Sequence, residues 1–211
     1  MAAHKTIQKL FKFLKRQHAS EMMDRGVVAI GTSEEFRKAD GRDGARSDKN
    51  EMITRWSAPE GPQTISPDHP FLRALGINPP MSLEIIMDKN VKFTFARNAY
   101  LYCMSDEITD DLKRRMSKDF EADACVVVND PSALLEAFKS HPFLRERQMR
   151  AASVAYVPSK EVKEFKGNDL FAKESDFSWQ REFRIVWDGQ VTDIKPILEI
   201  PEIIPILSRL Y

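Results

Sequence analysis

The chain has 211 residues, a length typical of one domain with a sizeable core. Its 32 basic and 32 acidic side chains balance, so the overall charge offers no positive field that would attract nucleic acid in bulk. The sequence has no long apolar run and no secretory leader, and its two cysteines, Cys103 and Cys125, lie in apolar stretches. We therefore expect a single domain over residues 1–211, in the cytoplasm, with reduced cysteines and no disulfide framework.

The N-terminal part of the chain alternates between strand-like and helix-like patterns. The apolar run 10–14 predicts a first strand, although residues 6–14 also fit one face of a helix. Residues 17–25 predict a helix that ends at Gly26, because glycine is favoured where a chain leaves a helix. The apolar stretch 27–32 predicts a buried strand.

Two irregular stretches follow. Ser33 is expected to cap a short turn over residues 34–37. The charged, glycine-containing stretch 40–50 predicts an exposed loop, either a plain surface loop or one that closes over a ligand. Residues 57–80 hold six of the twelve prolines, which predicts a surface insertion with a short helix over residues 68–75.

The remainder of the chain predicts short strands and helices. Two strands, 82–86 and 91–97, are separated by Asp88-Lys89-Asn90, which predicts a hairpin. Further strands are predicted over residues 99–104, 124–128, 153–157, 179–187, 196–200 and 202–207. Further helices are predicted over residues 109–118, 132–139 and 160–165.

The stretch from Trp179 to Trp187 alternates between two kinds of side chain. One parity is mostly aromatic or apolar, and the other holds Gln180, Glu182, Arg184 and Val186. A period of two predicts a strand, with Gln180 and Glu182 on one face roughly 7 Å apart. The plainest interpretation is an edge strand whose polar face is solvated and carries a Glu182–Arg184 charge pair. The alternative is that this polar face is functional.

The spacing Gln180-x-Glu182 resembles the Gln/Glu-x-Glu motif of ADP-ribosyltransferases. Motifs elsewhere follow in a similar order: a Phe-Lys-Phe strand, a strand ending Tyr102-Cys103-Met104-Ser105, and a block Lys173…Trp179-Gln180-x-Glu182-x-Arg184. The resemblance, to a broad group of bacterial and phage domains, spans about residues 10–187. It implies an α+β fold with split, antiparallel-rich β-sheets and flanking helices, and it implies that strands 10–13, 100–104 and 183–187 meet at one cleft.

The resemblance also implies a role for individual residues. Glu182 would be the catalytic acid that contacts the nicotinamide ribose of NAD and stabilises an oxocarbenium ion, and Gln180 would orient the acceptor. Lys12 stands where the family has Arg or His to hold NAD; it keeps the charge but loses the planar fork of arginine. Ser105 would support the nicotinamide pocket, and Arg37 and Arg184 would contact the pyrophosphate or position Glu182. The rings available to stack on nicotinamide are Tyr102, Tyr100 and Trp179, for each of which a place in the core is the alternative. For Arg184, a plain salt bridge is the alternative.

The function implied by the resemblance is NAD-dependent mono-ADP-ribosyl transfer to a macromolecular acceptor, either protein or nucleic acid (RNA or DNA). Such a protein would act as a toxin or a phage-defence or phage-encoded effector, with an antitoxin as its neutralising partner. The alternatives are a non-catalytic nucleotide- or protein-binding module of the same fold, which Lys12 favours, and an NAD glycohydrolase. We expect no metal site, because no histidine pairs with cysteine at metal-ligand spacing, and no membrane partner. A basic cluster, Arg145, Arg147 and Arg150, either is solvated or contacts a phosphate-bearing acceptor.

Overall fold

The computed structural model describes residues 7–38, 53–58, 60–67, 72, 81–87, 91–96, 98–158, 169–188, 191 and 195–211. The predicted loop 40–50, the predicted helix 160–165 and all of the predicted helix 68–75 except Leu72 lie outside these residues. The side chain of Arg37 lies outside them as well.

The described residues combine α-helices with short, mostly antiparallel strands, which agrees with the predicted α+β class. The helices are α1 (Arg16–Arg25), α2 (Ser33–Lys38), α3 (Asp110–Phe120) and α4 (Pro131–Ser140). The strands are β1 (Leu10–Leu14), β2 (Val27–Ala29), β3 (Gly31–Thr32), β4 (Ile53–Ala58), β5 (Gly61–Ile65), β6 (Leu83–Met87), β7 (Val91–Ala96), β8 (Tyr100–Ser105), β9 (Ala124–Val128), β10 (Met149–Ser153), β11 (Ala155–Val157), β12 (Ala172–Glu174), β13 (Glu182–Trp187), β14 (Ile197–Glu199) and β15 (Leu207–Arg209). Short 3₁₀ helices occupy Asp169–Phe171, Ser175–Gln180 and Pro201–Ile206.

The main sheet has the strand order β10-β13-β8-β1-β9-β15, with β3 as a further partner of β8. All of these pairs are antiparallel. Strand β13 pairs with β8 along its whole length, from Glu182 opposite Ser105 to Trp187 opposite Tyr100. Its other edge pairs with β10. The strand that carries Glu182 is therefore an interior strand of the sheet, and the prediction of an edge strand was wrong.

The sheet opens along the far edge of β8. On that edge β3 lies opposite Tyr100 and Leu101, while β1 lies opposite Ser105. In the described part of the chain, no strand pairs with the stretch between these points on that edge. The carbonyl of Cys103, which lies within it, instead accepts a hydrogen bond of 2.7 Å from Lys12 Nζ. A lysine side chain thus occupies a place where a neighbouring strand would otherwise donate an N–H.

Apolar side chains cover both faces of β13. Phe183, Ile185 and Trp187 belong to the main core, which also receives side chains from α1 and α4. Val186, on the other face, packs with Leu101 of β8 and with residues just before β12 in a second apolar cluster. Every residue of β13 is buried as a result. The prediction of a solvated polar face was wrong because the segment that precedes β13 in the chain folds back over that face.

Several helix ends follow directly from the local sequence. Gly26 ends α1 in the left-handed region, with φ at 69°. Thr109 caps α3 by accepting a hydrogen bond from the backbone N–H of Leu112. Asp130 caps α4 in the same way, with a proline at the first helical position where no N–H is needed. These three helices were predicted to within about two residues at each end.

Other predictions were wrong in ways that depend on contacts distant in sequence. The preferred strand over residues 10–14 is confirmed, whereas the alternative helix does not form over the described residues 7–14, because β1 pairs with β9 along its full length. The predicted strand 27–32 is divided: β2 pairs with β14, whereas β3 joins the main sheet. The stretch 153–157 is likewise divided between β10 and β11. The stretch 202–207 belongs, up to Ile206, to the 3₁₀ helix Pro201–Ile206, whose prolines Pro201 and Pro205 cannot donate to a strand ladder.

The two described strands of the predicted hairpin of residues 82–97, at 83–87 and 91–96, do not pair with each other. Strand β6 pairs with β5, and β7 pairs with β4, so the two strands are partners of earlier strands and not of each other. Ile65 and Leu72 form a small apolar cluster with partly buried side chains of β6. No helix among the described residues is long and apolar enough to span a membrane.

Gly26 provides a test of the packing between α1 and the chain after β14. A Cβ atom on Gly26 would lie 2.2 Å from the backbone oxygen of Ile200, and its left-handed φ adds strain for any L side chain. We expect Gly26→Ala to lower the free energy of unfolding by at least about 2 kcal/mol, measured by chemical denaturation. Gly61→Ala is the matched control, because Gly61 also has a positive φ but nothing lies within 4 Å of its added Cβ. Equal losses for the two variants would contradict the close approach to Ile200.

Candidate functional site

A cleft of about 240 Å³ lies where the main sheet opens beside β8. Its walls come from β1, β2, β3, β8, α3 and the segment 173–184, so residues more than 170 positions apart in sequence meet there. Its apolar wall includes Phe11, Phe13, Phe36, Met116 and Phe120. Its polar and charged lining residues are Lys12, Cys103, Ser105, Lys173, Gln180, Glu182, Arg184 and Lys195.

The carboxylate of Glu182 is buried between two cations. Arg184 Nε donates to Oε1 at 2.6 Å, and Lys173 Nζ donates to Oε2 at 3.1 Å. Glu182 is 5% exposed and Arg184 only 1%. Arg184 is fixed further by a bond of 2.8 Å from Nη1 to the carbonyl of Leu170. Each carboxylate oxygen thus has a charged donor, which is what a buried charge requires.

This pairing keeps Glu182 ionised. Burial acts to raise the pKa of the carboxyl group, but the charges of Arg184 and Lys173 and the hydrogen bond from Arg184 outweigh it. The pKa of Glu182 is therefore held well below its usual range. A group with this environment is a carboxylate at any physiological pH, so it is suited to electrostatic stabilisation or nucleophilic attack and not to proton donation.

A tight turn, and not a continuous strand, places Gln180 beside Glu182. Gln180 ends the 3₁₀ helix, and Arg181 then takes a left-handed conformation with φ at 46° before β13 begins. Lys173 Nζ bridges the two side chains, with Gln180 Oε1 at 2.9 Å. The turn is held by Ser105, whose Oγ donates to the Gln180 carbonyl at 2.8 Å. Gln180 and Glu182 are close together as expected, but a turn at Arg181 brings them together and not a shared strand face.

Lys12 also lines the cleft. Leu10 and Leu14, which share its parity on β1, pack with the main core, so the stem of Lys12 leaves the strand on the same face. Its amine lies 4.4 Å from the ring centroid of Tyr102 and donates to Cys103. Burial lowers the pKa of the Lys12 amine from its ordinary value. Cys103 and Glu182 act in the opposite direction, and Lys195 acts in the same direction as burial.

Six of the seven candidate residues line this one cleft: Lys12, Tyr102, Ser105, Gln180, Glu182 and Arg184. The seventh, Arg37, lies in α2, and its side chain is outside the described residues. Tyr102 is 2% exposed, and its ring packs edge-on against Phe138, so it offers little free surface for stacking. The guanidinium of Arg184 is committed to Glu182 and to the Leu170 carbonyl, an arrangement that positions the carboxylate.

Three further residues of the site had no assigned role in the sequence. Lys173 belonged to the quoted terminal block, but nothing in its spacing indicated that it would bridge Gln180 and Glu182. Tyr156 of β11 accepts a hydrogen bond of 2.8 Å from the backbone N–H of Glu182, and its position depends on the pairing of β11 with β12. Cys103 lines the same cleft, and its backbone carbonyl accepts a hydrogen bond from Lys12. Only the three-dimensional arrangement identifies these contacts.

The basic cluster near β10 is engaged with other groups of the protein. Arg150 forms an ion pair with Asp188. The guanidinium of Arg147 lies over the rings of Tyr100 and Phe143, at 4.9 and 5.0 Å from their centroids. These contacts occupy Arg147 and Arg150 with groups of the protein itself, which disfavours an open phosphate-binding patch.

Comparison with protein-family models, with curated proteins and with solved structures finds no match to this chain. Within the described ranges, no three His, Cys, Asp or Glu side chains are grouped so that they could hold a metal ion. The functional interpretation consequently depends on the geometry of the cleft.

The buried ion network makes Glu182 important for stability. Glu182→Gln leaves Arg184 and Lys173 with one neutral partner in place of a carboxylate, and removing one member of a buried ion pair typically costs about 3–5 kcal/mol. We expect a loss of this size in the free energy of unfolding, measured by chemical denaturation. Glu121→Gln is the matched control, because the pair of Glu121 with Lys15 is exposed to solvent. A Glu182→Gln protein as stable as the control would contradict the proposed importance of the network.

The same network predicts a dependence of stability on pH. A carboxyl group whose pKa is lower in the folded state stabilises the protein above its unfolded pKa, about 4.3 for Glu, and this contribution is lost as pH falls toward the folded value. We expect the stability difference between wild type and Glu182→Gln to shrink as pH is lowered from about 5 to about 2. Denaturation at a series of pH values measures it. A difference that stays constant over this interval would show that folding does not lower the pKa of Glu182.

Proposed function

We propose that the chain is an NAD-dependent mono-ADP-ribosyltransferase with an ADP-ribosyltransferase-like fold, acting on a protein or nucleic-acid acceptor. The observation that carries the proposal is the convergence of Lys12, Ser105, Gln180 and Glu182 on one cleft in an opening of an antiparallel sheet. These residues were selected from the sequence for this chemistry, and they come from three distant parts of the chain.

The chemistry needs a fixed negative charge where positive charge develops. When the bond between C1 of the ribose and the nicotinamide nitrogen breaks, nicotinamide leaves with the electron pair and the ribose acquires oxocarbenium character. A carboxylate held ionised and immobile stabilises that charge without reorganisation. Glu182 has these properties, because its neighbours hold its pKa down and fix both of its oxygens. The acceptor then forms a bond to C1 and loses its proton.

The size and charge of the cleft favour partial burial of a dinucleotide. Pockets that enclose a drug-sized ligand measure about 300–1,000 Å³, so a cleft of about 240 Å³ would take only the nicotinamide and its ribose. Among the described lining residues, Lys173, Lys195 and Arg184 are cationic, Glu182 is acidic, and the amine of Lys12 is a further basic group. This excess of positive charge suits a diphosphate at the mouth of the cleft.

One observation favours a second candidate, the non-catalytic nucleotide-binding module. Both oxygens of Glu182 already accept hydrogen bonds from cations. A ribose hydroxyl must therefore share Glu182 Oε2 with Lys173 or displace it, since that contact is the longer of the two. In a binding module the network would stay closed, and nucleotide would bind without cleavage.

Labelled NAD separates the candidates. With NAD labelled in the ADP-ribose part, the transferase transfers label to macromolecules of a host lysate, a glycohydrolase releases nicotinamide without transfer, and a binding module does neither. We expect Glu182→Gln to reduce turnover by about 10²–10³. We expect Gln180→Ala to reduce transfer to the acceptor more than it reduces release of nicotinamide.

Two controls separate loss of catalysis from loss of folding. Glu182→Asp keeps the charge balance of the network but withdraws the carboxylate by one methylene, so a transferase should still lose about 10²-fold while it remains folded. Glu121→Gln removes an exposed carboxylate and should leave turnover unchanged. Activity is measured at a temperature where circular dichroism shows each variant folded. Wild-type turnover in folded Glu182→Gln and Glu182→Asp would overturn the proposal.

A further inference from the structure

The cleft contains two lysines in opposite electrostatic situations. Lys173 Nζ contacts the carboxylate of Glu182 and the amide oxygen of Gln180, which favours the charged ammonium form. Lys12 Nζ contacts a carbonyl oxygen and the face of an aromatic ring. Among the described residues, no carboxylate lies within ion-pair distance of Lys12.

Burial and the lack of a paired carboxylate within the described ranges make the ammonium form of Lys12 less favourable than that of Lys173. Lys12 rises from the core-facing side of β1 and is half-buried, and the cation of Lys195 lines the same cleft. Removal from water and a nearby positive charge both disfavour an ammonium ion. Lysines that act as nucleophiles toward carbonyl compounds are made reactive in these two ways, by an apolar site or by another cation. Lys12 has both, and it also lines the cleft, so a ligand can reach it.

We infer that Lys12 is a nucleophilic amine that captures an anionic aldehyde, such as the open-chain form of a phosphorylated aldose, as a Schiff base within this cleft. The nitrogen lone pair attacks the carbonyl carbon, the amine loses its two protons, and the carbonyl oxygen leaves as water while a C=N bond forms. The reaction needs no oxidant or reductant and is reversible.

The ligand class follows from the lining of the cleft. The excess of cations over the single carboxylate of Glu182 selects an anion, and the apolar wall of β1 and α3 excludes water from the imine. ADP-ribose is one member of this class, because its free anomeric carbon opens to an aldehyde. The inference nevertheless stands apart from the proposed transferase activity, since capture requires only Lys12 and the cleft.

Pyridoxal 5′-phosphate with sodium cyanoborohydride tests the inference on the full-length chain at neutral pH. The probe carries an aldehyde and a phosphate, and the hydride reagent converts each imine to a stable secondary amine that peptide mass spectrometry locates. We expect Lys12 to be labelled several-fold faster than the exposed Lys9 of the same segment, and Lys173 to remain unlabelled. Labelling spread evenly over exposed lysines, or faster at Lys195 than at Lys12, would overturn the inference.

Variants and a second probe make the test specific. Lys12→Arg keeps a basic side chain at this position but has no nucleophilic amine, so the fast labelling should disappear, whereas Lys9→Arg should retain it. The mapping on the wild-type protein decides the question even if Lys12→Arg does not fold. Pyridoxal without phosphate should label Lys12 more slowly, and equal rates for the two probes would overturn the assignment of an anionic ligand. Glu182→Asp should lose transferase turnover but keep the fast labelling of Lys12. Measuring both therefore distinguishes failure of the proposed transferase from failure of amine capture.

Discussion

The structure depends on one buried carboxylate and the two cations that neutralise it. Glu182 lies on an interior strand with almost no exposure to solvent, where an unpaired charge would be prohibitively unfavourable. Arg184 compensates it from two residues further along the same strand, and Lys173 compensates it from β12. The bond from Arg184 to the Leu170 carbonyl then fixes the segment that covers this face of the sheet. Charge compensation and the covering of β13 are therefore parts of the same arrangement.

The cleft exists because the sheet is incomplete on the other side of β8. Where β1 and β3 separate along that edge, the carbonyl of Cys103 has no partner among the described strands, and side chains line the space between the strands. Lys12 supplies the donor, and its amine therefore sits inside the protein without a carboxylate of its own among the described residues. Lys173 and Lys12 differ for this reason. Lys173 donates to the buried carboxylate of Glu182, whereas Lys12 donates to a backbone carbonyl that no strand in the described part of the chain reaches.

Local patterns predicted most of the elements but not the environment of the site. The capping residues Thr109 and Asp130 and the glycine at position 26 define their helices through contacts within a few residues, which a sequence shows directly. The alternation up to Trp187 likewise located β13. It did not reveal that Gln180 belongs to a 3₁₀ helix, because the turn at Arg181 is stabilised by β8 through the Ser105 hydroxyl and the Asp106 N–H.

Partners distant in sequence account for the remaining errors. The sequence predicted that the polar side chains before and along β13 face solvent. The same residue types also occur beneath a covering segment when their charges are paired, so the sequence could not distinguish the two environments. The strands of residues 82–97 looked like a hairpin, yet each found its partner before residue 66. The resemblance to known domains predicted that Lys12 and Glu182 would line one cleft. No periodicity in the sequence predicted it.

The order of the strands in the main sheet also determines when the cleft can exist during synthesis. The ribosome releases β1 first, but two of the cleft's charged walls arrive only with β12 and β13, about 160 residues later. Until then the opening beside β8 lacks its carboxylate, its second lysine and its arginine. A nascent chain consequently cannot form the ion network of this cleft until β13 has been synthesised.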